Sequence, residues 1–185
     1  MSEGYNLRSI YRAGAISVIV PTLALIAALL SGSILFLDYV HVLLGAIWTG
    51  VDVFYGLIFY FVISTIGDES RKNIGIRLIP MSLFFIPTAS ILVPLVGYIL
   101  ATKEGIFSLS STVIDAAIII GSILVVEGFL TIVLSSAIIL RNITKNNSDT
   151  KKVSRLVMIG SHGALVQMIL QIAIISVMAY IVVYI

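Results

Sequence analysis

The sequence predicts an all-α integral membrane protein, a bundle of five transmembrane helices. Of its 185 residues, 59% are hydrophobic and only 11% are charged, whereas a typical soluble domain is about half apolar and about a quarter charged. A helix needs about 20 apolar residues to cross a hydrocarbon core of about 30 Å. Five stretches meet that length and make residues 1–185 a single transmembrane domain: 13–37, 39–66, 76–101, 112–140 and 153–185.

A cleaved signal peptide is the alternative interpretation of the first stretch. The apolar region of a signal peptide is about 7 to 15 residues long, and the stretch 13–37 is longer and has no convincing cleavage site. We therefore expect it to be a retained helix.

The basic residues predict the orientation of the spans. All but one of the eleven Lys and Arg residues lie before the first span, in the second-to-third and fourth-to-fifth loops, or at the first residues of the spans that follow those loops. The exception is Lys103. Cytoplasmic loops carry an excess of Lys and Arg. The N-terminus is thus predicted in the cytoplasm and the C-terminus outside the plasma membrane. The ten basic residues are Arg8, Arg12, Arg71, Lys72, Arg77, Arg141, Lys145, Lys151, Lys152 and Arg155.

Composition excludes several classes of function. The chain has no cysteine, which rules out disulfides, thiolate metal sites and Fe–S clusters. A net charge of +2 does not indicate a nucleic-acid partner, because the basic residues follow the topology. The loops are too short for a separate catalytic module. Any chemistry is expected in or at the lipid bilayer.

The third and fifth spans carry features with two interpretations each. Pro80, Pro87 and Pro94 recur every seven residues on the third span, which indicates either a curved helix or a kink that makes room for a cofactor. A stripe on the fifth span serves either helix packing or the lining of a polar cavity. Its members are Gly160, Gly163, Gln167 and Gln171.

Ionisable residues within spans are candidates for function because they are costly to bury. The second span carries several of them, together with aromatic residues. They recur at intervals that alternate between four and three residues, so they share one face of the helix. At 1.5 Å per residue, Asp52 lies about 16 Å deeper than His41. Each residue also has an alternative interpretation without a functional role. His41 could be an interfacial histidine bonded to Asp38 or water, and Trp48 could serve only helix packing. The face consists of His41, Gly45, Trp48, Asp52 and Tyr55.

Glu127 lies near the middle of the fourth span, at a depth comparable to that of Asp52. An unpaired carboxylate there is expected to take up a proton. If the two acids face each other, they could share a proton or form part of a proton path. Nearer the outer surface, His41, Asp38 and Asp115 form a candidate metal site.

His162 lies on the fifth span, towards the face opposite to His41. One haem held by both histidines is therefore not expected. Two haems, or one haem with a second ligand of another kind, would be needed. Methionine is the other plausible axial ligand, and the candidates are Met81, Met158, Met168 and Met178.

Two segments resemble a known membrane superfamily. The segment from His41 to Gly50 resembles the His-x6-Trp-x-Gly helix of HemJ-type protoporphyrinogen oxidases and CopD-type copper-resistance proteins. The segment from Arg77 through Pro80, Pro87 and Thr88 to Gly97 resembles the Arg-Leu…Pro…Thr…Gly helix of HemJ-like proteins. The resemblance implies a small helical bundle that binds haem b, with His41 at the position of the family's histidine. It departs from HemJ-like proteins in having no lysine inside a later span.

Three functions are consistent with these residues. The first is a haem b redox protein that exchanges electrons with a quinone or a redox protein partner. In it, His41 and His162 would bind iron, Trp48 and Tyr55 would pack around the macrocycle, and Asp52 and Glu127 would carry protons. The second is a copper-like metal transport or resistance protein, with Asp52 and Glu127 along the passage. The third is a noncatalytic subunit of a larger membrane complex. A homo- or hetero-oligomer is expected.

Overall fold

The structure is a computed structural model that describes residues 7–144 and 149–184. Within them the chain forms five long helices and no strand, and each helix is long and apolar enough to cross a membrane. The predicted all-α class is confirmed, and the helices indicate a multi-pass membrane protein. Lys145 and the last residue of the predicted fifth span, Ile185, lie outside the described residues. The helices are α1 (Leu7–Ser31), α2 (Ile34–Thr65), α3 (Asp68–Lys103), α4 (Thr112–Thr144) and α5 (Thr150–Tyr184).

The break between α1 and α2 falls earlier in the chain than the predicted break between 37 and 39. Gly32 has φ +66°, a left-handed conformation that glycine adopts without steric cost. Ser33 then caps α2, because its Oγ accepts a hydrogen bond from the Phe36 amide at 3.2 Å. As a result, Asp38 lies inside the first turns of α2 and not in a loop.

Three of the long helices contain a π-helical segment near their middle: Phe54–Phe59 in α2, Met81–Phe85 in α3 and Phe129–Val133 in α4. The segment in α2 begins two residues after the buried Asp52, and the segment in α4 begins two residues after the half-buried Glu127. Short π-helical turns within α-helices occur frequently at functional sites. The segment in α3 directly follows Pro80, which cannot donate a backbone hydrogen bond.

The described core consists of three clusters stacked along the bundle. The end formed by the α2–α3 connection and the start of α5, here called the basic end, holds the largest cluster. The middle cluster is small, and the third lies at the opposite end. Representative members are Ile10, Phe59, Ile63 and Ile76 at the basic end, Trp48, Ala89 and Leu124 in the middle, and Leu25, Leu37, Val96 and Leu100 at the opposite end.

Arg71 joins α2, α3 and α5 at the basic end. Its Nε donates to the Ile63 carbonyl at 2.8 Å and its Nη2 to the Ile66 carbonyl at 3.0 Å, so it satisfies the last turn of α2. Its Nη1 donates to Ser154 Oγ on α5 at 2.9 Å, and Ser154 Oγ donates to Asp68 at 2.6 Å. The guanidinium therefore fixes the register of three helices.

Replacing Arg71 by alanine is expected to lower the thermal unfolding midpoint of the protein in detergent. The change leaves two helix-end carbonyls and a part-buried hydroxyl without their donor, and each such group costs about 1–3 kcal/mol. Arg77→Ala, an exposed position on the same helix, is the control and should leave the midpoint near that of the wild type. Equal midpoints for the two variants would show that Arg71 does not hold the helices together.

Candidate functional site

Four polar side chains of α2, α4 and α5 lie in the middle of the bundle, where α5 packs against both α2 and α4. They are Asp52 from α2, Glu127 from α4, and Gln167 and Gln171 from α5, and we call them the acid–amide cluster. Asp52 and Gln167 are completely buried, and Gln171 is 3% exposed. Polar groups buried to this degree are normally hydrogen-bonded, so the partners of each atom decide what the cluster can do.

Asp52 is held by α5. Gln171 Nε2 donates a hydrogen bond to Asp52 Oδ2 at 2.8 Å. Trp48 lies one turn earlier on α2 and directs its indole towards the same carboxyl group, which is also within electrostatic reach of Glu127. The two acids predicted to form a proton path therefore lie within electrostatic reach of each other.

The Glu127 side chain accepts a hydrogen bond from a residue of its own helix. Thr131 Oγ1 donates to Glu127 Oε1 at 2.9 Å. Gln167 lies beside the Glu127 carboxyl group and donates from Nε2 to the Leu124 carbonyl at 3.0 Å. Each acid of the cluster is thus accompanied by one glutamine, and the two glutamines are neighbours on one face of α5.

Two glycines allow α4 and α5 to approach closely around these side chains. Gly128 lies directly against Gln167 Nε2, and Gly163 lies directly against Thr131 Oγ1. A Cβ atom at Gly163 would also lie 3.2 Å from Glu127 Oε1. Small residues at helix interfaces permit such contacts in membranes. The predicted glycine and glutamine stripe therefore packs against the neighbouring helix and lines a polar site at the same time.

Four buried oxygens of the cluster have no hydrogen-bond donor among the described residues: Asp52 Oδ1, Glu127 Oε2, Gln167 Oε1 and Gln171 Oε1. An unsatisfied buried polar atom costs about 1–3 kcal/mol. All four atoms accept hydrogen bonds or coordinate cations. The arrangement is therefore suited to receive protons on its carboxyl groups or a positive ion among its oxygens.

His41 lies nearer the opposite end of the bundle, between α2 and α3. Its ring packs against Gly97, where a Cβ atom would lie 3.0 Å from His41 Cε1. His41 Nδ1 is buried and has no hydrogen-bond partner among the described residues. Asp38, one turn earlier, is exposed but close enough to interact with the ring electrostatically.

His162 points away from the interior. Its side chain is exposed, its Nδ1 lies 2.8 Å from the Met158 carbonyl oxygen, and its ring contacts that of Tyr60 with centroids 4.7 Å apart. A haem held jointly by His41 and His162 does not fit this arrangement. Of the two histidines, His41 is the one whose ring lies between helices.

The two aromatic residues predicted to surround a cofactor occupy different core clusters. Trp48 packs in the middle cluster, and its Nε1 has no hydrogen-bond acceptor among the described residues. Tyr55 lies deeper towards the basic end, stacked on Phe59 with centroids 5.0 Å apart and close to Gly160.

The candidate metal residues are not assembled. Asp38 is exposed and Asp115 is half-buried in the first turn of α4. Among the described residues, no group of three or more His, Asp or Glu side chains is placed to hold a metal ion.

Within the part of the chain that the structure describes, these features define a class of protein: a multi-pass membrane protein of five long helices, three of which carry an acid–amide cluster. Comparison of the chain with protein-family models, with curated proteins and with solved structures found no match. The site therefore has to be interpreted from its own chemistry.

Thr131 was not predicted as a site residue, and Gln167 and Gln171 were predicted only as members of the stripe on the fifth span. The signal for the glutamines was present, because two amides four residues apart in an apolar helix occupy one face. No pattern in the sequence identified which acid each amide accompanies. Thr131 had no signal beyond its position one turn after Glu127.

Proposed function

We propose that this protein transports a small cation across the membrane in exchange for protons. The observation that supports the proposal is the acid–amide cluster, in which the buried Asp52, the half-buried Glu127 and two buried amide oxygens lie on α2, α4 and α5. This is the transport alternative raised from the sequence, with Asp52 and Glu127 as the groups that carry protons. It does not depend on haem.

The cluster offers two alternative states. With both acids protonated, the site is neutral, and the carboxyl protons are available to the glutamine oxygens. With a proton removed, a negative charge remains in an apolar interior, where an isolated charge is very costly. A cation that enters at that moment compensates the charge. Protons and cations would thus occupy the site in turn, which is the requirement for exchange.

The proposed orientation follows the basic residues. The basic end would face the cytoplasm, with the N-terminus inside and the C-terminus outside the plasma membrane. Asp38 and His41 would then lie on the external side of the cluster, at the start of a route to Asp52. Labelling of single cysteines in intact cells tests this, because the chain has no cysteine of its own.

Transport is tested in proteoliposomes that contain a pH-sensitive dye and are acidic inside. Sodium, potassium, zinc and copper salts are added outside in turn, with choline chloride as the control for ionic strength. We expect at least one cation to raise the internal pH faster than in protein-free liposomes. If none does so in either orientation of the pH gradient, the proposal is wrong.

A second candidate is the haem b redox protein, and the observation that favours it is the partnerless Nδ1 of His41. It predicts a Soret band in purified protein and sharpened α and β bands after dithionite reduction. The bands should be lost in His41→Ala and retained in His162→Ala, because His162 lies on the exposed face of α5. A featureless spectrum of protein purified from cells supplied with haem excludes the haem b redox protein.

A further inference from the structure

We infer that the acid–amide cluster is a binding site for a dehydrated monovalent cation, sodium, with four oxygen ligands. This inference rests on the proposed function and names its cation. The ligands are Asp52 Oδ1, Glu127 Oε2, Gln167 Oε1 and Gln171 Oε1. Two contacts pair the ligands, Gln171 with Asp52 and Gln167 with Glu127, and the two acids lie within electrostatic reach of each other.

The glutamines point to a cation more strongly than the acids do. Gln167 is completely buried and Gln171 is 3% exposed. Each uses its Nε2 as a donor, to the Leu124 carbonyl and to Asp52 respectively, and each is left with a buried oxygen that has no donor among the described residues. An amide oxygen accepts but does not donate. Two such oxygens beside two carboxyl groups form a set of hard ligands.

The chemistry of the ligands and their burial select the kind of ion. Carboxylate and carbonyl oxygens favour hard cations over copper or zinc, which prefer sulfur or nitrogen ligands. Ca²⁺ takes about 6–8 oxygens, and Mg²⁺ usually keeps several waters, whereas the cluster supplies four oxygens from closely packed side chains. Gly128 and Gly163 bring α4 against α5 at this point, which favours a small ion over potassium.

Charge balance gives the stoichiometry. Asp52 and Glu127 are the acids of the cluster, and the tyrosine nearest to them on α2, Tyr55, packs one turn further along at Gly160. When one carboxyl group releases its proton and sodium binds, the site holds one carboxylate, one carboxyl group and one positive ion. The net charge of zero is unchanged, so one sodium ion replaces one proton.

The intrinsic fluorescence of Trp48 can report sodium binding. It is the only tryptophan of the chain, it is 4% exposed, and its indole lies beside the Asp52 carboxyl group. We expect its emission in detergent-solubilised protein to change saturably with NaCl, at an ionic strength kept constant with choline chloride. Potassium should give a much weaker response. If one proton is released per ion, the half-saturating sodium concentration falls about tenfold for each unit rise in pH while the site is protonated.

Variants test the ligands one by one. Asp52→Asn, Gln167→Leu and Gln171→Leu should each raise the half-saturating sodium concentration by at least about tenfold. Glu104→Gln, at an exposed position after α3, should bind sodium like the wild type. A shift of the thermal unfolding midpoint by sodium provides a second measurement, since a ligand that binds only the folded protein stabilises it. The thermal measurement is used for any variant in which the substitution itself changes the tryptophan emission.

The outcomes separate the sodium site from the transport function. Saturable sodium binding without cation-driven proton movement supports the site and contradicts the proposed exchange. Proton exchange driven by another cation, without a sodium response, supports exchange and overturns the sodium assignment. A response to Ca²⁺ alone, or equal responses to sodium, potassium and choline, also overturns it.

Discussion

Replacing Asp52 by asparagine is expected to abolish cation-driven proton movement in proteoliposomes, down to the rate of protein-free liposomes. The carboxyl group is completely buried and accepts a hydrogen bond from Gln171 at 2.8 Å. Asparagine has a similar shape but carries no proton that it can release at neutral pH. Since the exchange moves one proton per ion, we assign that proton to Asp52, the completely buried acid of the two. Glu127→Gln replaces the acid that stays protonated, so it should slow the movement without abolishing it.

Glu104→Gln is the matched control, because it makes the same chemical change at an exposed position outside the cluster. It should transport at the wild-type rate. Size-exclusion profiles and thermal midpoints establish that the variants remain folded before their rates are compared. Wild-type rates in both Asp52→Asn and Glu127→Gln would show that the protons travel by another route.

Replacing Gly56 by alanine is expected to separate α2 from α5 and to destabilise the protein strongly. A Cβ atom at this position would contact the backbone of Ala164 and Leu165, and it would lie only 2.6 Å from Leu165 Cα. Backbone cannot move aside as a flexible side chain can. Overpacking of this kind typically costs about 1–3 kcal/mol. The thermal midpoint in detergent should therefore fall.

Gly50→Ala is the control on the same helix. A Cβ atom there meets nothing within 4 Å, and alanine is about 1 kcal/mol more favourable than glycine in a helix interior. The midpoint should stay the same or rise. If Gly56→Ala were as stable as Gly50→Ala, the close approach of α2 to α5 would not be required for stability.

The close contact at Gly56 also bears on the site. Gly56 lies in the π-helical segment of α2, and Ser161 on α5 donates to the Tyr55 carbonyl beside it at 2.8 Å. The same pair of helices forms the Asp52–Gln171 hydrogen bond further along. A variant that separates the helices at Gly56 is therefore expected to weaken sodium binding at the acid–amide cluster as well.

The class of the protein and the residues most costly to bury could be predicted from the sequence alone. Membrane-spanning length and apolar composition are local properties, so they indicated the five helices without knowledge of any partner. Asp52 and Glu127 were recognisable for the same reason, since a carboxyl group in an apolar stretch is expensive wherever it points. The distribution of lysine and arginine added a predicted orientation.

The tertiary structure decided which of these residues meet. The rotation and register of each helix determine side-chain partners, and they depend on contacts far apart in the sequence, such as Gly56 against Leu165 and Gly128 against Gln167. Those contacts place the two glutamines beside the two acids and turn His162 outward. The wider turn of a π-helical segment shifts the register of the residues that follow it. A regular helical repeat does not reveal that shift, so the cluster emerged only when α2, α4 and α5 were packed together.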